Sequence, residues 1–199
     1  MEKIELKNVK IYGGIGVIIT LLGGLRRIGP LLRIAGLILI LIALYELAQR
    51  LKEEKIFRQY LIGIIINIVG TGFAITLAVI NGAWSIAKMI LFGGYMSYYD
   101  IFSEISFALI FFVLLLYAIT ILSTYFYRES LKSITAKTTI KTFALAGDFL
   151  FYGAIGIIVI LGIFAMFVGW ILLAVAFFNL PDTIEIAVPT DQNPETTSS

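Results

Sequence analysis

Long apolar stretches separated by short polar segments organise this chain. Each stretch holds roughly fifteen to thirty residues, and a helix needs about twenty to cross the hydrocarbon core of a bilayer. The pattern predicts about five membrane-spanning helices, at residues 11–27, 28–48, 61–81, 105–127 and 151–178. The fold class that follows is an all-α, polytopic helical membrane bundle, in which residues 1–180 form a single integral membrane domain.

The first and last stretches fit a bilayer least well. The apolar run from Ile11 to Leu25 gives about 22 Å of helix, so it crosses a core of about 30 Å only if Lys10 and Arg26 extend toward the headgroups or the bilayer thins. The run from Phe149 to Leu180 gives about 48 Å of helix, which is too long. We expect tilt, a kink or an interfacial lead-in to absorb this excess.

Two segments outside these spans have a distinct chemistry. Residues 84–92 begin an aromatic-rich segment, and aromatic side chains favour the headgroup level, so we predict a short interfacial helix there. After Pro181 the chain has four acidic residues and no basic one. We therefore predict that residues 181–199 form an acidic, partly disordered tail.

The distribution of Lys and Arg assigns a side to each loop. With five crossings, the N-terminal segment and the second–third and fourth–fifth loops share a side, and together they hold 11 of the 15 basic residues. Cytoplasmic loops of membrane proteins carry an excess of Lys and Arg. The pattern predicts a cytoplasmic N-terminus and an extracytoplasmic C-terminal tail.

The composition disfavours several function classes. The chain has no His and no Cys, so it lacks the commonest general base and two of the commonest metal ligands. Its net charge is only +2, and the basic residues are dispersed among loops rather than gathered in a stripe that would bind nucleic acid. We predict no catalytic, cofactor or metal site, no nucleic-acid partner, and the lipid bilayer as the surroundings.

The third predicted span carries a face of small and amide side chains. Helical spacing places these residues on one side of the helix: Gly63, Asn67, Gly70, Thr71, Ala74, Ala78 and Asn81. Small residues let helices approach closely, and an amide can hydrogen-bond to a neighbouring helix, so the pattern favours a packing seam. The alternative is that Asn67 and Thr71 line a polar pathway, because polar groups inside a membrane are costly and often functional.

Asp148 stands where the fifth span begins. An acidic side chain is favourable at a helix N-terminus, so one interpretation is that Asp148 stabilises the start of the helix. The alternative interpretation is that its carboxylate couples transport to proton movement. Two function classes therefore remain. We favour a non-catalytic bundle that serves as an accessory, assembly or structural component of a membrane complex or of a homo-oligomer. The alternative is a small transporter or channel with a polar site near Asn67, Thr71 and Asp148.

Three stretches of the first third of the chain resemble one known family. They are LKNVKIYGGIG at residues 6–16, GLILILIALYELA at residues 36–48, and KIFR at residues 55–58 followed by LIG at residues 61–63. Together they resemble the prokaryotic, largely archaeal membrane family DUF996, and the remainder of the chain is similar in hydropathy. The resemblance implies a multi-pass protein of the prokaryotic cytoplasmic membrane and brings no known activity, substrate or catalytic residue.

Overall fold

The structure, a computed structural model, describes residues 2–25, 28–92 and 98–186. This part of the chain forms six α-helices, one short 3-10 turn and two short strands. In chain order they are β1 (Glu2–Glu5), α1 (Lys7–Leu22), α2 (Gly29–Arg50), α3 (Glu54–Phe92), α4 (Tyr98–Thr138), α5 (Lys141–Ile155), the 3-10 turn (Gly156–Val159), α6 (Leu161–Phe178) and β2 (Thr183–Ile186). The predicted helical bundle is confirmed.

The helices pack as three successive pairs. α1 packs on α2, α3 on α4, and α5 on α6, while α4 also contacts α5 and α1 also contacts α6. Glycine permits the closest of these approaches. A Cβ placed on Gly16 of α1 would lie 2.9 Å from the carbonyl oxygen of Gly36 in α2, so the two backbones meet without intervening side chains.

Many of the large buried side chains gather near one end of the bundle, where α1, α3 and α5 begin and α2, α4 and α6 end. Fully buried examples are Leu6, Leu47, Ile56, Tyr60, Leu131, Phe143 and Phe177. The rings of Phe143 in α5 and Phe177 in α6 meet edge to face, with 5.3 Å between their centroids. Away from this end, α3 and α4 expose large apolar side chains such as Val79 and Phe107.

Five helices of the described residues are long and apolar enough to cross a membrane: Gly29–Arg50, Glu54–Trp84, Ser106–Thr138, Lys141–Val159 and Leu161–Phe178. Their number equals the number of predicted spans, but they are not the same five segments. The first predicted span corresponds to α1, which has 16 residues and is not among these five helices. The segment predicted as a separate interfacial helix, residues 84–92, continues α3 to Phe92.

The last predicted span, residues 151–178, is divided in two. α5 ends at Ile155, the chain turns through Gly156–Val159, and α6 begins at Leu161. Gly162 of α6 lies against the backbone of Gly153, so the two helices run back along each other. A reversal of the chain, rather than tilt or a kink, therefore absorbs the excess length of the apolar run.

The two ends of the described chain lie together. β1 pairs antiparallel with β2, with Glu5 opposite Thr183, and the Leu6 N–H donates to the Asp182 carbonyl oxygen at 2.7 Å. Lys10 adds an ion pair with Asp182 at 3.4 Å. The reversal after α5 brings the two ends of the described chain together, whereas the prediction placed the N-terminus and the acidic tail on opposite sides of a membrane. The tail begins with a strand, and residues 187–199 lie outside the described part.

Candidate functional site

The predicted small-residue face of α3 meets α4. A Cβ placed on Gly63 would lie 2.6 Å from the ring of Tyr127, and one on Gly70 would lie 2.9 Å from the side chain of Ile119. Between them the Asn67 amide nitrogen lies 3.4 Å from the Ser123 hydroxyl oxygen, to which it donates. Gly63, Asn67 and Gly70 therefore form a contact between helices, which we call the α3–α4 seam.

The other residues of that face differ in position. Thr71 is half-buried beside the seam. Asn81 is exposed, and its amide donates to the Leu77 carbonyl oxygen of its own helix at 2.8 Å. The structure thus brings Gly63, Asn67 and Gly70 to α4 and leaves Asn81 outside the contact.

Toward the buried end of the bundle, the α3–α4 seam contains polar groups that sequence reasoning missed. Tyr60 is fully buried, and its ring centroid lies 4.6 Å from that of Tyr127. The Ser130 hydroxyl donates to the Ile56 carbonyl oxygen at 2.6 Å. Among the described residues, the Tyr60 hydroxyl has no hydrogen-bond partner. A helical pattern alone could not mark these residues, because Tyr60 falls before the predicted span and Ser130 after one.

A second polar site joins α4 to α5. The Arg128 Nε donates to Asp148 Oδ1 at 2.5 Å, and the Arg128 Nη2 donates to the Tyr152 hydroxyl at 3.2 Å. The guanidinium carbon also lies 5.1 Å from the ring centroids of Phe151 and Tyr152, within the range of cation–π attraction. We call Arg128, Asp148 and Tyr152 the α4–α5 ion-pair site.

Asp148 is not at a helix N-terminus. α5 begins at Lys141, immediately after a reversal in which Thr139 has a φ of 60°, so Asp148 lies in the second turn of the helix. Asp148 instead forms an ion pair with Arg128, which lies 20 residues earlier along the chain. Sequence reasoning treated Arg128 only as a loop cation, although the short α4–α5 connection could have suggested that the two residues face each other.

A surface groove of about 340 Å³ lies beside the ion-pair site, between α5 and α6. Asp148 and Tyr152 line one part of it. The rest is apolar or glycine, with walls that include Leu145, Phe149, Leu161 and Ala165. Within residues 2–25, 28–92 and 98–186, no group of three or more acidic side chains is arranged to hold a metal ion. The chemistry that the groove offers is that of an apolar surface with one polar end.

Comparison with known proteins places this architecture in a family. The model of the family described as "Protein of unknown function (DUF996)" matches residues 32–171. An uncharacterized protein of Methanocaldococcus jannaschii is 31% identical over 185 residues, which cover 93% of this chain and 98% of that protein. No solved structure matches the chain. With most of its helical bundle matched by the family model and nearly all of its length matched by an archaeal relative, the chain belongs to the DUF996 family of proteins of unknown function.

Proposed function

We propose that this protein is a non-catalytic subunit of a membrane complex, which it joins through the exposed face of α3. The observation that carries the proposal is the poor coverage of the α3–α4 pair by the rest of the chain. Only 17% of the most apolar stretch of α3 and 11% of that of α4 is buried, against 33% for α2, α5 and α6. These two helices therefore have the most surface left for contacts with other chains.

The composition of the uncovered face supports a protein partner. Gly72 lies nine residues from Gly63, about 180° around the helix, and so points away from the α3–α4 seam. A Cβ placed on Gly72 would meet nothing within 4 Å. Thr76, Val79 and Ala83 follow at helical spacing on the same exposed face. Small side chains at such spacing permit close approach by another membrane helix.

We propose six membrane crossings, with α1 included, and both ends of the chain in the cytoplasm. The connections that would then share the cytoplasmic side hold 11 of the 15 Lys and Arg residues, and the other side holds four. This division follows the excess of basic residues in cytoplasmic loops. The membrane is the prokaryotic cytoplasmic membrane, which agrees with the archaeal source of the relative.

The test is the native mass of the protein after gentle extraction from its own membranes, with identification of any companions. We expect a stoichiometric assembly, with other proteins or with further copies of the chain. Gly72→Leu should dissociate it, because the new side chain projects into open space on the chain itself but would collide with a partner helix.

Gly82→Leu is the matched control. Gly82 is also open on α3, but it lies about 80° around the helix from Gly72. We expect this variant to leave the assembly intact. An extracted protein that is a monomer without companions contradicts the proposed role.

A small transporter is the second candidate, favoured by the α4–α5 ion-pair site beside an open groove. Its test is Asn67→Leu. Loss of a transport signal with unchanged assembly and unfolding temperature would support a polar pathway at Asn67, whereas a defect in stability would support the hydrogen bond to Ser123 as a packing contact.

A further inference from the structure

The groove between α5 and α6 has a floor of backbone and one polar end. The floor is formed where Gly153, Gly156 and Gly162 bring the two helices together. Exposed walls rise on both sides, from Phe149 in α5 and Leu161 in α6. Binding sites for small molecules are commonly apolar clefts with a few converging polar groups. This groove therefore fits an elongated molecule that is apolar along most of its length and polar at one end.

The polar end presents a carboxylate and a hydroxyl. Asp148 Oδ1 accepts the hydrogen bond from Arg128, and Oδ2 has no partner among the described residues. The Asp148 side chain is 36% exposed and lines the groove, whereas Arg128 is 18% exposed and does not. The Tyr152 hydroxyl accepts a hydrogen bond from Arg128 and so keeps its own proton for donation.

We propose that this groove binds one membrane lipid whose headgroup carries a primary amine. Its hydrocarbon chain lies between α5 and α6, its ammonium donates to Asp148 Oδ2, and the Tyr152 hydroxyl donates to its phosphate. The charged side chain that lines the groove is Asp148, whereas its partner Arg128 does not line it, and a carboxylate beside the headgroup disfavours an anionic one. A quaternary ammonium has no N–H and cannot make the hydrogen bond. The inference rests on the proposed placement of α5 and α6 in the bilayer.

The experiment is native mass spectrometry of the full chain released from detergent in the presence of equal amounts of phosphatidylethanolamine, phosphatidylcholine and phosphatidylglycerol. We expect a one-to-one adduct with phosphatidylethanolamine to dominate. Asp148→Asn should weaken that adduct by about tenfold, since it removes a hydrogen bond between two charged groups.

A second variant tests the groove without altering the ion pair. Ala165→Phe places a ring in the groove and should abolish the adduct. Ile163→Phe, on an exposed part of α6 outside the groove, should not. Preference for phosphatidylglycerol or phosphatidylcholine, or an adduct that survives Ala165→Phe, would overturn the proposal.

Extraction of the membranes with alkaline carbonate tests the membrane placement of the protein independently of the lipid site. It therefore distinguishes a failure of this inference from a failure of the proposed function. A protein that stays in the membrane pellet but binds no lipid in the groove refutes only the lipid site. A protein released by carbonate refutes the membrane placement itself.

Discussion

At the scale of single residues, the surroundings of each glycine determine whether a substitution to alanine stabilises or destabilises the fold. A Cβ on Gly36 would meet Thr20 and lie 2.6 Å from the Gly16 carbonyl oxygen, whereas a Cβ on Gly72 would meet nothing within 4 Å. Both glycines lie within helices, where alanine is intrinsically favoured by up to about 1 kcal/mol. A substitution to alanine should therefore change the free energy of unfolding in opposite directions at the two sites.

We expect Gly36→Ala to lower the free energy of unfolding by about 1–3 kcal/mol, because α1 and α2 would have to separate. Gly72→Ala should raise it by a few tenths to about 1 kcal/mol. The measurement is thermal or denaturant unfolding of the detergent-solubilised protein, followed by circular dichroism. Equal effects of the two variants would mean that the Gly16–Gly36 approach is not a close contact.

The α4–α5 ion-pair site should contribute to stability as a pair. Asp148→Asn leaves the half-buried Arg128 without its carboxylate, and we expect the free energy of unfolding to fall by about 1–2 kcal/mol. A fully buried pair would lose more, because solvent screens the exposed part of Asp148. Glu54→Gln, at an exposed acidic residue in the first turn of α3, is the control and should change little. In a double-mutant cycle with Arg128→Met, additive losses would show that the two side chains do not interact.

The candidate sites were predictable from the sequence to different degrees. That Gly63, Asn67 and Gly70 share one packing face follows from helical spacing, whereas the helix that they contact is known only from the structure. The partner of Asn67 does not follow, because the register of α3 against α4 is set by packing between the two helices. The Arg128–Asp148 pair was also missed, since it depends on where α5 begins and on how closely α5 returns along α4.

At the scale of elements, the turn between α5 and α6 is made of apolar residues. Ile160 has a φ of 61°, and a positive φ costs a β-branched residue roughly 1–2 kcal/mol. We expect Ile160→Gly to raise the free energy of unfolding by about 1 kcal/mol. Ile158→Gly, in the same turn but without a positive φ, should lower it. The unfolding midpoints of the two variants check this, and a loss in both would argue against strain at Ile160.

This turn also explains why the sequence predicted one long span where the structure has two helices. Residues 157–161 are Ile-Ile-Val-Ile-Leu, with none of the polar turn residues that mark a reversal in a water-exposed loop. The available signals were the length of the apolar run and its glycines, Gly153, Gly156 and Gly162. Those glycines are compatible with a bend as well as with a reversal, so pattern alone could not decide between them.

At the scale of the whole molecule, the charge pattern is equally compatible with five and with six crossings. A sixth crossing moves only the segment after Pro181 to the other side, and that segment contains no Lys or Arg. The division of 11 basic residues against four is therefore unchanged. The reversal between α5 and α6 and the pairing of β1 with β2 favour six crossings, because strands on opposite sides of a bilayer could not hydrogen-bond.

The pairing of β1 with β2 can be tested with a chain that has no native cysteine. Glu5 and Thr183 are opposite each other in the two strands, and directly opposed residues have Cα atoms about 4.5–5.5 Å apart, within reach of a disulfide. We expect Glu5→Cys with Thr183→Cys to form an intramolecular disulfide under mild oxidation, seen as a change in gel mobility that reductant reverses. Glu5→Cys with Leu25→Cys is the control and should not cross-link, since α1 separates the two positions by about 24 Å of helix. Cross-linking in neither pair would contradict the pairing of β1 with β2. It would favour the five-span arrangement, in which the tail lies on the side opposite the N-terminus.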